Sequence, residues 1–346
     1  MPFTVAELEN ASNALLDYHV KGPAYSQVIQ DRPLFDCLMG KQKTFPGGKE
    51  FITDPVKGEY STGVQGYSHD DEVSYTNPAN IKRTQVKWYE IHAGISMTLT
   101  ELKMSGISIT DTMNSKSTSQ HSDSEMVVLT NLLEDKIEDM MEGFARSFTD
   151  MLWRDGTQDA KAVPGMRSFL LDAPTAAGTS FGIDRTANTW WRNRAQLAID
   201  SSTASNQNLV NALQQEQRQL RRFRGKPSKF LCGSDFLDAF EKELRSKGNY
   251  TLEGWANKKV IDASIADVAF KGIMLQYDPA LDDLSLSKYG YWFDERRIYL
   301  KTMEGEDRKT HTPARPPERY VMYRSMTYTG ALCCNQLNAN GVYSIA

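Results

Sequence analysis

The side chains best suited to metal binding or nucleophilic catalysis in this 346-residue chain are five histidines (His19, His69, His92, His121, His311) and four cysteines (Cys37, Cys232, Cys333, Cys334). A zinc site needs ligands at short, fixed spacings, such as HExxH on one helix face or CxxC across a tight turn. Neither spacing occurs. The histidines are scattered, and the adjacent pair Cys333-Cys334 stands in an apolar, strand-like run where thiols serve as small buried hydrophobes. His69 beside Asp70, Asp71 and Glu72 could hold a cation, but a solvated acidic loop is the commoner meaning of such a run. Ser234, in Cys232-Gly233-Ser234-Asp235, opens a helical pattern and reads as its N-cap region rather than as a nucleophile. No GxSxG, P-loop or GxGxxG pattern is present. The expectation is no catalytic residue, no metal and no cofactor.

Binding chemistry is better represented. Arg218, Arg221, Arg222, Arg224 and Lys226 form a basic run that continues to Lys229. Such a run could neutralise phosphates, pair with acidic side chains of an adjacent subunit, or stand as a solvated face. Acidic clusters at 70–72, 281–283 and 304–307 offer partners for the second role. The net charge of −4 argues against a protein whose main task is gripping nucleic acid, which shows a basic excess. Trp190-Trp191, flanked by Arg185 and Arg192, could cage a ligand; packing, with arginine stacked on indole, is the simpler account.

The elements that must carry these groups follow from periodicity. With 40% apolar and 24% charged residues the chain can bury real cores, and no run of about 18 apolar residues suggests a membrane span. The N-terminus lacks a basic segment followed by an apolar run, which predicts cytoplasmic synthesis. Residues 1–40 read as an arm with a short amphipathic helix (Leu8, Ala11, Ala14, Leu15, Tyr18), broken at Gly22-Pro23 and at Asp31-Arg32-Pro33. Residues 41–105 read as β. A strand at 50–53 stops at Pro55, a polar tip runs through 57–80, and Ile91, Ala93, Ile95, Met97 and Leu99 alternate with polar residues. Together they predict an extended two-stranded arm, which buries too little to stand alone and must lie on something. Tyr60, Tyr67, Tyr75 and Trp88 are its candidate contacts.

Residues 122–154 give the strongest local pattern. Ser122 and Glu125 fit a capping box. Leu129, Leu133, Ile137, Met140, Phe144, Phe148 and Met151 follow at spacings of three and four, and Asp155-Gly156 ends the run. The helix would be about 50 Å long, a structural spine. Beyond it lie a possible strand at 165–171, a helix from Asn208 to near Gly225, a strand at 229–232, and a helix carrying Phe236, Leu237, Phe240 and Leu244. Strands follow at 272–277, 289–293 and 297–301, then a proline-rich loop at 303–318 and an alternating strand at 319–334.

This order of elements resembles that of the tailed-bacteriophage major capsid protein, the Hong Kong 97 fold. Pro227-Ser228-Lys229-Phe230-Leu231-Cys232-Gly233-Ser234-Asp235-Phe236 is similar to the strand and helix that open the family's axial domain. Phe270 to Leu275, followed by Asp278-Pro279, is similar to its inner strand and short loop. Tyr291-Trp292-Phe293-Asp294 stands where many members begin the return to the peripheral domain, and Phe181 to Arg185 with Trp190 to Asn193 is similar to a run in a subset of phage capsid sequences. The resemblance spans residues 40–346. It implies an α+β fold with an N-terminal arm (1–40), an extended β-hairpin loop (41–105), a peripheral domain with the spine helix (106–200), an α/β axial domain (201–300) and return strands (301–346).

The resemblance further implies a structural protein, not an enzyme, that assembles with itself into pentamers and hexamers of an icosahedral virion shell enclosing double-stranded DNA, with no membrane. Scaffolding, portal and decoration proteins are the implied partners. Some members begin with a long charged scaffolding segment that is cut away; no obvious one is seen here, so either scaffolding comes from a separate protein or the chain is the mature form, and Met1 favours the first. Lys41, Lys43, Lys49 and Lys57 lie in or near the arm, where some members form an isopeptide crosslink, but none can be matched to the linking position. Two rivals remain: an encapsulin-like compartment, which shares the fold and encloses cargo enzymes, and a soluble hydrolase with an unrecognised site.

Overall fold

A helix exposes backbone groups only at its ends, so a long one needs a buried stripe along its length more than it needs caps. In the computed structural model, which describes residues 30–58, 60, 62–75, 80–104, 123–201, 208–246, 268–311 and 321–346, the spine helix runs Asp123–Trp153, 31 residues. Met140, Phe144, Phe148 and Leu152, four apart, are its buried row. The amphipathic pattern at 8–18, the Ser122 cap and the prolines at 313–317 fall outside the described residues.

The chain divides into two compact units. The first draws on residues 91–146 and 308–328. Here strand Tyr89–Thr98 pairs with strand Val321–Cys334, which also pairs antiparallel with Lys309–His311. Ile91, Ala93 and Ile95 are part-buried while their neighbours are exposed, the expected period of two. Lys309–His311 corrects the reading of 303–318 as loop: three residues with no apolar alternation carry no strand pattern, and the long partner supplies the template. Helix Leu99–Met104 follows the first strand, and Glu101 accepts a 2.9 Å ion-paired bond from Lys136 of the spine. Phe144 meets Tyr328 with ring centroids 6.1 Å apart.

The second unit contains a six-stranded sheet. Its strands, in spatial order, are Arg194–Ile199, Gly341–Ile345, Tyr289–Phe293, Lys229–Cys232, Ile273–Tyr277 and Ala269–Phe270. The strand Tyr289–Phe293 sits inside this order, and Tyr291, Trp292 and Phe293 are all fully buried, so both faces are covered. Helices Leu209–Arg221 and Ser234–Ser246 cover one face, where Leu209, Leu213, Leu220, Phe236 and Phe240 join Phe230, Leu275, Trp292 and Tyr343 in one core, while Trp153 at the end of the spine helix lies against Tyr291, which points to the other face. Lys229–Cys232 and Ile273–Tyr277 are parallel, as a helical crossover between them requires. Gly233 makes the strand-to-helix turn possible, because a Cβ there would lie 2.4 Å from the Ser287 carbonyl oxygen. Buried Glu243 accepts from the Leu209 and Val210 N–H groups (2.9 and 3.1 Å) and so caps one helix from the other.

Three further expectations are corrected. Pro33 starts a helix, Pro33–Met39, instead of breaking one; at the first helical position its missing N–H costs no bond. Residues 165–171 hold a 3₁₀ turn, Met166–Ser168, not a strand. The arm pairs Phe51–Lys57 with Ile81–Lys87, not with the 91–99 segment, and Pro55 lies inside the strand. This ribbon has only two strands, and alternate residues of an antiparallel strand turn N–H away from the partner, so one parity tolerates proline without loss. Ile81–Lys87 escaped notice because only Thr84 is buried and Val86 part-buried among polar neighbours.

Asp278 ties the second unit together. It is fully buried and caps the short helix Pro279–Asp283 through Ala280 N–H (3.0 Å); it also accepts from Trp153 Nε1 (3.0 Å) and from the Leu34 backbone. Burial outweighs these donors and pushes its pKa up to about 6. Because the folded value exceeds the unfolded one, the stabilisation from protonation is complete below the unfolded value and is lost as pH rises through about 6. Relative to Asp278→Asn, wild-type unfolding free energy is expected to fall by roughly 2 kcal/mol between pH 4 and 7. Urea unfolding of both proteins across that range checks this; a constant difference would remove Asp278 as the titrating group.

Candidate assembly surfaces

Two strands cannot bury enough apolar surface to hold themselves flat, so the ribbon's position must be fixed from outside its own hydrogen bonds. Asp54 does this at the base. Its carboxylate accepts from Tyr299 Oη (3.0 Å) and pairs with Lys301 Nζ (2.5 Å), both on strand Ile298–Met303. Lys43 Nζ stands 3.5 Å over the Tyr299 ring. Burial and the Asp54 charge push the Tyr299 phenol well up, so it donates throughout the physiological range. Beneath the clamp, Phe45, Ile52, Tyr299, Ala331 and Cys333 form a small core with Val86, Trp88 and Met303 packed on it. Trp88, a sequence candidate for contact outside the chain, is half-buried here, its Nε1 donating to the Lys49 carbonyl (2.9 Å).

The paired tryptophans hold the ribbon's far side. Strands Thr179–Ser180 and Ile183–Asp184 form a hairpin whose two turn residues, Phe181 and Gly182, both have positive φ (53° and 76°), the tight turn that suits strand twist. Buried Trp191 donates to the Ser180 carbonyl (3.0 Å) and pins the hairpin. The Phe181 carbonyl accepts from Gln85 N–H (2.8 Å), and Gly58 lies so close to Trp190 that a Cβ would fall 2.7 Å from its ring. Packing thus occupies both indoles.

Past Gly58, residues 60 and 62–75 hold no helix or strand. The Gln65 side chain ties this stretch to itself, accepting from Ser74 N–H (3.2 Å) and donating to the Glu72 carbonyl (3.2 Å). Tyr60, Tyr67 and Tyr75 are 78%, 73% and 94% exposed, and Val64 is fully so. Large apolar side chains exposed along one stretch are the kind of display found at interaction sites. His69 and Asp70–Glu72 are exposed in the same stretch, and no group of three or more metal-ligating side chains occurs among the described residues.

The basic run is a second exposed surface. Arg218 and Arg221 occupy the last turn of helix Leu209–Arg221, where positive charge suits the helix dipole. Arg222 lies 5.5 Å over the Phe223 ring, which is itself exposed, and Arg224 has φ 63°. Arg218, Arg221, Arg222, Arg224 and Lys226 are all exposed and make no ion pair among the described residues. Lys229 is part-buried and donates to Gln276 (3.5 Å). Of the acidic clusters, Asp282 is engaged with Ser234 N–H and Tyr277 Oη, and Asp307 with Gln42. The structure thus keeps the arginines and the arm tyrosines on display. It adds Asp54, Tyr299 and Lys301, which sequence reasoning missed: no local spacing marks a pair 247 residues apart.

No protein-family model matches the sequence, and no curated protein matches it. The fold is that of solved phage capsids. The chain is similar to the cyanophage A-1(L) capsid asymmetric unit (TM-score 0.67, 13% identity, 94% of this chain and 95% of that one). It is similar to the capsid of Myoviridae phage XM1 (0.55, 12%, 100% and 99%) and to that of the native GTA particle (0.54, 13%, 95% and 96%). The architecture is the Hong Kong 97-like α+β fold.

The clamp makes a direct prediction. Asp54→Ala leaves Lys301 part-buried and unpaired, and loosens the ribbon by about 1–2 kcal/mol, discounted for partial exposure. Hydrogen exchange of amides 51–54, 56–57 and 81–87 is expected to quicken about tenfold, while amides 229–232 and 289–293 stay unchanged. Uniform acceleration would mean the clamp supports global stability instead.

Proposed function

We propose that many copies of this chain build the head of a tailed phage as its major capsid protein, closing pentamers and hexamers into an icosahedral shell around double-stranded DNA. One observation carries the reading: the likeness to a cyanophage capsid extends over nearly the whole of both chains, so it concerns a complete building block and not a shared module. Heterologous contacts make rings, and pentamers and hexamers differ only in the rotation that closes them.

In this reading the 201–300 region faces the capsomer axis, while the spine helix and the 301–346 strands form the periphery. The arm lies across a neighbouring subunit. Its exposed Tyr60, Tyr67 and Tyr75 find their cover there, each contact modest and the sum governed by about 25 cal/mol per Å² of apolar area removed from water. Arg218 to Lys226 meet acidic side chains of an adjacent copy or packaged DNA. Scaffolding and portal proteins, and a decoration protein where one exists, are the partners; the protein is made in the bacterial cytoplasm and ends in the virion. Among the described residues no helix is long and apolar enough to cross a membrane.

Negative-stain microscopy and light scattering of the purified protein test this. Closed shells of uniform diameter are expected, and deletion of residues 57–78 should leave soluble protein that forms none. A monodisperse monomer or dimer, even after co-expression with scaffolding protein, would overturn the reading; normal shells from the deletion would remove the arm from it.

A further inference from the structure

Two exposed surfaces of the second unit carry opposite charge, and neither is matched within the chain. Residues 60–75 at the arm tip hold Asp70, Asp71 and Glu72 and neither lysine nor arginine. Residues 218–226 hold four arginines and Lys226 and no carboxylate. All of these charged side chains are exposed, and none makes an ion pair among the described residues. Each surface also displays aromatic rings: Tyr67 and Tyr75 at the tip, and Phe223, 55% exposed, among the arginines.

Both surfaces are held in shape. At the tip, Asp71 Oδ2 accepts from Ser68 N–H (2.8 Å) while Asp71 N–H donates to the Ser68 carbonyl (3.1 Å), and Gln65 ties the stretch across to Ser74. In the basic turn, Gln336 Nε2 donates to the Phe223 carbonyl (2.9 Å) and Lys226 N–H to buried Asp294 (3.2 Å). Gly225 packs so closely that a Cβ would lie 2.3 Å from the Leu220 carbonyl oxygen. Folding has already ordered both backbones, so docking them costs little further freedom.

We propose that the arm tip of one copy docks on the 218–226 turn of a second copy, its carboxylates against the guanidinium groups and its tyrosine rings against their planar faces. This rests on the reading of the chain as an assembling subunit and names the partner of the arginines within it. Of the other acidic clusters, Asp282 and Asp307 are already engaged. DNA would match the arginines but leave the tip uncovered. Tip and turn are different patches, so a copy that has received one tip still has its own to offer. That is a heterologous contact, the kind from which rings close.

A charge swap in the full-length chain tests this, with assembly of DNA-free protein followed by light scattering and negative-stain microscopy. One variant reverses the tip (Asp70→Lys, Asp71→Lys, Glu72→Lys), one reverses the turn (Arg218→Glu, Arg221→Glu, Arg222→Glu, Arg224→Glu), and a third combines them. Each reversal alone is expected to raise the protein concentration needed for assembly at least about tenfold, and the combination to bring it back to within about threefold of wild type. Normal assembly of either single reversal, or no recovery in the combination, overturns the docking while wild-type shells uphold the capsid reading. A turn reversal that assembles normally and loses only packaged DNA is one such outcome. Wild-type rings or open chains that never close, but follow the same pattern of loss and recovery, support the docking and refute the shell; a wild type that stays monomeric overturns both. Should a reversal fail to fold, the neutral pairs Asp70→Asn with Glu72→Gln and Arg222→Gln with Arg224→Gln decide. Their effects are expected to be less than additive when combined, and full additivity overturns the docking.

Discussion

The second unit depends on one buried carboxylate. Asp278 stands where four segments meet: the end of the spine helix at Trp153, the helix begun by Pro33, the strand Ile273–Tyr277, and the strand Lys229–Cys232, whose Cys232 carbonyl accepts the Asp278 N–H (3.0 Å). Hydrophobic burial is non-directional and would allow these segments to slide past one another. A carboxylate with named donors does not. It favours the arrangement in which Trp153 Nε1, Ala280 N–H and the Leu34 backbone all reach one acceptor, and the 4.8 Å approach of Trp153 to Tyr291 then extends that arrangement into the sheet. The raised pKa is the measure of how far burial was pressed to place the charge there.

The arm obeys the opposite rule. It is extended, thinly packed and fixed by a few contacts at its base: the Asp54 clamp, the small core around Tyr299, and the approach of Trp190 to Gly58. Beyond them the chain displays its tyrosines. Side chains left in solvent at the tip do nothing to hold a two-stranded ribbon, so the few contacts at its base must do so.

Legibility in the sequence followed the reach of the interaction. The spine helix, the strand Tyr289–Phe293 and the helix Ser234–Ser246 were readable because their buried residues recur at spacings of two, three or four along the chain. The ribbon was misread for a related reason. The alternation at 91–99 was the stronger pattern, yet that strand answers to Val321–Cys334, while the true partner of 51–57 is a polar segment with almost no alternation of its own. The arginine run showed as charge, but its exposure did not, and the Asp54 clamp left no trace because its members are 247 residues apart.

The same reasoning explains how a fold can be shared at 12–13% identity while no family model matches. What the architecture asks of most positions is a side chain of the right polarity and rough volume at the right period, and cores accept many such sets. Identity is demanded only where geometry admits one residue, as at Gly233 against the Ser287 carbonyl, or where a buried donor needs one acceptor, as at Asp278. Such positions are few and dispersed, too sparse to form a local motif. Element order, element length and the placement of helices over the sheet are therefore the durable signal, and they are what a comparison of structures reads.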